Sequence, residues 1–112
     1  MCWRSGLRLQ AVEPGVIDKR FEREYGCTEI EWLRWLPGAV REQGWSRPAT
    51  GQARIAIGGG ALRLCWTVLL PRQIAMIRMP RMAVSFVFDE VDDAARADFM
   101  RYFDLYMQRG GG

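Results

Sequence analysis

Apolar residues recur at four-residue steps early in the chain, at two-residue steps through its middle and at helical steps near its end. Each change of period marks a change of element. In EPGVIDKRFEREY, residues 13–25, the spacing of Ile17, Phe21 and Tyr25 predicts a short helix entered after Pro14 and stopped by Gly26. Thr28 and Glu31 then make a capping-box pattern, with Cys27 and Trp32 at the positions of a hydrophobic staple, and a second helix is expected to open there. Ile30, Trp32, Leu33, Trp35 and Leu36 are too many apolar residues for one stripe, so this helix is expected to pack on more than one side or to reach another chain. Pro37-Gly38 is expected to break or kink it, with AVREQ resuming helically, and GWSRPATG, residues 44–51, reads as a loop.

From Ala53 the period is two. Ile55 and Ile57 alternate with polar or small neighbours, as do Leu62, Leu64, Trp66, Val68 and Leu70, and Gly58-Gly59-Gly60 lies between the runs. A two-residue turn at Gly58-Gly59 sets Ile55 opposite Leu62 and Arg54 opposite Arg63, which keeps the apolar sets on one side. Pro71-Arg72 reverses the chain, Ile74 and Met76 continue the alternation, Pro80 interrupts or bends the next edge, and Val84, Phe86 and Phe88 resume it. Asp89 is expected to cap a last helix, with Glu90, Asp92 and Asp93 at its positive end and Val91, Ala95, Phe99, Tyr102 or Phe103, and Tyr106 on its apolar side.

The pattern predicts one α+β domain over residues 1–112. It comprises two short N-terminal helices, a three- or four-stranded antiparallel β-meander, and a C-terminal helix packed on the sheet. Residues 1–12 and 110–112 are expected to be flexible.

Charge sharpens this picture. The formal net charge is +3, but residues 51–88 hold Arg54, Arg63, Arg72, Arg78 and Arg81 and no acid, whereas residues 89–112 hold six acids against three arginines. A one-signed sheet segment points to polyanion or nucleic-acid binding if its arginines share an exposed face, and to internal pairing with the acidic helix if they do not. No RNP-like string of basic and aromatic residues accompanies them.

Histidine is absent, which removes Ser-His-Asp, Cys-His and HExxH chemistry and every Cys/His zinc site. Cys2, Cys27 and Cys65 are odd in number and contain no CxxC pair, a usage compatible with reduced thiols in a cytoplasmic compartment. No apolar run reaches the ~18 residues of a membrane span.

Four groups are candidates for chemistry. Met76, Met79 and Met82 in MIRMPRM are a minimal soft-metal set, but alternation turns Met79 away from Met82, so core filling is the simpler role and no metal or other cofactor is expected. IAIGGGALR lacks the Lys-Ser/Thr ending of a phosphate loop and is followed by a strand, so its glycines make a hairpin. The acids at 89–93 lack the spacing of a calcium loop. Cys65, near arginines, is the one candidate nucleophile, without a base to activate it.

Trp32, Trp35 and Leu36 are the candidate partner-binding residues, because desolvated tryptophans anchor interfaces. The sequence therefore reads as a small non-enzymatic interaction or regulatory module that binds a protein partner or a second copy of itself. The alternative is a polyanion binder using Arg54, Arg63, Arg72, Arg78 and Arg81, and the weaker alternative an enzyme using carboxylates or Cys65.

Overall fold

The structure, a computed structural model, describes residues 17–41 and 44–110, so the expectations for the chain ends and for part of AVREQ lie outside the described residues. The elements are β1 (Arg20–Tyr25), α1 (Glu29–Val40), β2 (Trp45–Ser46), β3 (Gln52–Ile57), β4 (Gly60–Ile74), β5 (Ile77–Asp89) and α2 (Asp93–Gly110). The strands form one antiparallel sheet in the order β1-β5-β4-β3-β2, with both helices on one face. The α+β layering is as expected, but among the described residues one N-terminal helix, not two, is present, set between the sheet strands β1 and β2, and the sheet has five strands rather than three or four.

The expected first helix is β1. A spacing of four fits one helical turn and is also a multiple of two, so Ile17, Phe21 and Tyr25 satisfy both periods. The backbone of residues 20–25 is paired instead along β5, in the register Phe21↔Phe86 and Tyr25↔Met82. Arg23, between the two aromatics on the helix side, hid the alternation. Its guanidinium carbon lies 5.2 Å from the Phe21 ring and 5.7 Å from the Phe86 ring, and it donates to Asp104 of α2. An arginine whose charge reaches a carboxylate can lay its stem on an apolar surface.

The capping box forms as read. Glu31 N–H donates to Thr28 Oγ1 at 3.2 Å, and Thr28 N–H donates to Glu31 Oε1 at 3.0 Å. The helix it opens does not end at Pro37-Gly38 but runs to Val40. Gly38 faces Tyr106 of α2 so closely that a Cβ would collide with the tyrosine ring, and this close packing holds the last turn of α1 despite the donor that Pro37 lacks.

The hairpin register of β3 and β4 is the one the alternation specifies. Ile55 pairs with Leu62 and Arg54 with Arg63, around Gly58 at φ 57°. Trp45-Ser46, read as loop, adds the short edge strand β2 against Ile55 and Arg54. Pro80 does not interrupt β5. Between Leu69↔Arg81 and Arg72↔Met79 the register shifts, so Leu70 and Pro71 together oppose Pro80, and the bulge absorbs the missing donors. Asp92, rather than Asp89, caps α2, accepting from Ala95 N–H at 2.8 Å.

The core lies between the sheet and the helices. Ile55, Leu62, Leu64, Trp66, Met82, Val84, Phe86 and Phe88 from the strands meet Trp32, Leu36, Phe99, Met100, Phe103 and Met107 from the helices. Edge-on ring contacts of Phe86 with Phe103 and of Trp32 with Trp66 lie at its centre. No helix among the described residues is long and apolar enough to cross a membrane.

Candidate functional site

β4 and β5 outrun their neighbours. β3 last pairs with β4 at Gln52↔Cys65, and β1 last pairs with β5 at Tyr25↔Met82, yet β4 and β5 stay paired with each other out to Ile74↔Ile77. From Leu69↔Arg81 outward the two strands therefore form an arm with no third strand beside it, and Val68 at its base has β1 only across Met82. Its tip is a two-residue turn with Ala75 at φ 55°, the left-handed region that type I′ and II′ hairpin turns require and that a Cβ disfavours.

The arm is also where the apolar surface is. Val68, Leu70, Ile74, Met76, Ile77 and Met79 lie there, and the other large apolar side chains exposed among the described residues are Ile30 and Leu105 on the helices. Met76 is 94% exposed and Leu70 84%. Scattered apolar side chains are ordinary on a protein surface, but six on one projecting ribbon are a patch of the kind that marks a contact site. An unsupported two-stranded ribbon is also marginal in water.

The sequence candidates separate on this frame. Trp32 and Leu36 are fully buried in the core and Trp35 packs against it, so these residues hold α1 to the sheet, and the first two present no surface to a partner. A capped helix with a dense apolar sequence looks alike whether it closes a core or docks a partner, which is why the sequence suggested the second role. Met82 is buried while Met76 and Met79 are exposed on the arm, so the three thioethers do not form one ligand set.

Of the five arginines, Arg54 and Arg63 sit opposite each other on the helix-free face of the body, and Arg63 is tied to Asp89 at 2.7 Å. Arg72, Arg78 and Arg81 belong to the arm. Arg81 grips Glu24 of β1 through Nε at 2.9 Å and a second nitrogen at 3.1 Å, and Arg72 reaches the same carboxylate at 4.0 Å. The hydrogen bonds from Arg81, reinforced by its charge and that of Arg72, hold the Glu24 carboxyl below its ordinary pKa. Arg54, Arg63, Arg72 and Arg81 thus share the helix-free side of the sheet, with Arg63 and Arg81 held by carboxylates, while Arg78 alternates to the other side.

The remaining candidates carry little chemistry. An open concavity of about 860 Å³ lies at the start of α2, bordered by Lys19, Asp89, Glu90, Asp92 and Asp93. Among the described residues no group of three or more His, Cys, Asp or Glu side chains is placed to hold a metal ion. Cys65 is disulfide-bonded, against the expectation of reduced thiols, and so offers no thiolate. Cys27 is free but buried, and burial, with the nearby Glu31 carboxylate, pushes its thiol up to about 11. The sequence signal for the arm was available in part: apolar residues keep recurring through 68–79 between Arg72, Gln73 and Arg78, past the reach of any partner strand, but the lengths of β1 and β3 had to be known to see it.

Compared with family models and with curated proteins, the chain matches none.

Proposed function

We propose that this domain is a small non-enzymatic interaction module whose working element is the hairpin arm. One observation carries the reading: six large apolar side chains are exposed along a ribbon that no third strand covers and that the Arg81 and Arg72 contacts with Glu24 tie to β1 at its base. Covering such side chains releases on the order of 1.5–3 kcal/mol each when burial is complete, enough for a few of them to support a contact. Pro71 and Pro80 remove a donor from each strand, which discourages the addition of further strands along the arm's edges and leaves its faces and tip for recognition.

The methionines supply the test. Peroxide oxidation of the dilute, purified chain should modify Met76 and Met79 quickly and spare the buried Met82, Met100 and Met107. In an extract of the cells that make the protein, Met76 should be protected. A Met76 that stays as reactive there as in the dilute protein would refute the reading. A polyanion-binding role has support from Arg54, exposed and without a carboxylate partner among the described residues. Salt-sensitive oligonucleotide binding that falls with Arg54→Gln would favour it.

A further inference from the structure

We propose that the arm docks tip-first onto an anionic phospholipid surface, an inference that rests on the arm being the interaction element. The argument comes from how the arm's side chains are ordered along its axis. The distal end is Ile74-Ala75-Met76-Ile77, apolar throughout and closed by the Ile74↔Ile77 pair. The next row back is Gln73↔Arg78, the next Arg72↔Met79, and beyond the bulge comes Leu69↔Arg81. An apolar cap is thus backed by a basic collar.

The arginines surround the ribbon. Alternation along β5 puts Arg78 on the side that faces the helices, while Arg72 and Arg81 occupy the other side, where both meet Glu24. Neither face is consequently an uninterrupted apolar plate on which a second protein surface could stack. Nucleic acid laid on the helix-free side would meet Arg54, Arg63, Arg72 and Arg81 but would leave the apolar tip uncovered. A bilayer approached end-on presents the matching order, acyl chains at depth and phosphates above them on every side. The cap is about 7 Å deep at ~3.3 Å per residue, within the ~5–10 Å that interfacial apolar segments enter. Arginine stems then lie along the acyl boundary with their heads at the phosphates.

Charge agrees. The three arm arginines are offset by the single carboxylate of Glu24, residues 51–88 contain no acid, and Arg78 has no carboxylate partner among the described residues. Contact area argues against a second copy stacked on one face. A face seven residues long and two strands wide covers roughly 23 by 10 Å, well short of the ~800 Å² per partner of a standard interface.

The experiment is flotation of the full-length chain with vesicles of phosphatidylcholine alone or mixed with phosphatidylglycerol, at low and high salt, with methionine oxidation followed in the same samples. Flotation with the mixed vesicles should exceed that with neutral ones at least tenfold and fall with salt, and Met76 oxidation should slow severalfold. Met76→Asp with Ile77→Asp should abolish flotation, and Arg78→Gln should reduce it severalfold. Both tip side chains are exposed, so the double variant should unfold at the wild-type midpoint. Absence of flotation at low salt, equal flotation with neutral vesicles, or flotation that survives the double variant would each overturn the proposal. If vesicles fail while Met76 is protected in extract, in concentrated protein or by duplex DNA, the lipid inference falls and the interaction reading stands. A Met76 that is reactive in every condition removes both.

Discussion

Single atoms decide two features of this protein. At Gly60, the first residue of β4, a Cβ would run into the backbone carbonyls of Asp89 and Glu90, whereas at Gly59 it would meet nothing. Gly60→Ala is therefore expected to cost about 3 kcal/mol, since neither carbonyl can move without shifting the end of β5, and Gly59→Ala to stay within ~0.5 kcal/mol. Urea unfolding of the pair checks this. Cys27 makes a prediction about pH. Its thiol is raised in the folded chain to about 11 from an ordinary 9.0, so the protonated form is the one the fold favours. That contribution is present below pH 9 and is lost as pH climbs from 9 through 11. Stability should fall by up to about 2 kcal/mol over that window and fall less in Cys27→Ala, as read by unfolding at successive pH values. Tyr25, also raised by burial, acts in the same direction but remains in both proteins.

Among the elements, legibility followed how many periods a stretch could satisfy. The β3–β4 hairpin was readable because alternation and a glycine pair agreed on one register, and the capping box because two residues at fixed spacing sufficed. The strand β1 was misread because four-residue spacing serves both periods and Arg23 stands where an apolar residue was needed to decide. α2 was recognised with its cap three residues early, and of its buried side Phe99 and the Phe103 alternative were read, while Met100 and Met107 were missed and Tyr106 packs only against the core's edge. The arm was misread in part: its reversal was expected at Pro71-Arg72 but falls at Ala75-Met76, because the bulge absorbs Pro71 within β4, and its lack of cover was not seen, since cover depends on where other strands end. The arm's independence gives a prediction. Replacing residues 70–80 by Asn-Gly, which joins the Leu69↔Arg81 pair through a two-residue turn, should leave the far-ultraviolet spectrum of the body intact and change stability by no more than ~1 kcal/mol. A collapse of the fold would show the arm to be part of the core's support.

For the molecule as a whole, the arm joins the two central strands, so the chain could be cut there and yet remain assembled. β5 is held by β1 on one side and β4 on the other, while Arg96, buried at the start of α2, donates to the carbonyls of Ile17 and Val91 and to Asp93. These contacts bind both halves of a nicked chain without using the arm. Local opening costs least where few apolar contacts are buried, so among the described residues trypsin should cut first after Arg72 or Arg78. The two fragments should separate on a denaturing gel yet co-elute on a native column with the spectrum of the uncut protein. Anionic vesicles should slow that cleavage if the arm tip is what enters them, because a ribbon held at a surface opens less often. Cleavage appearing first within β3 or α1 would instead mean that the body, not the arm, is the least stable part of the fold. The exposed side chains on the arm would then have to be understood as part of a different, partner-completed structure.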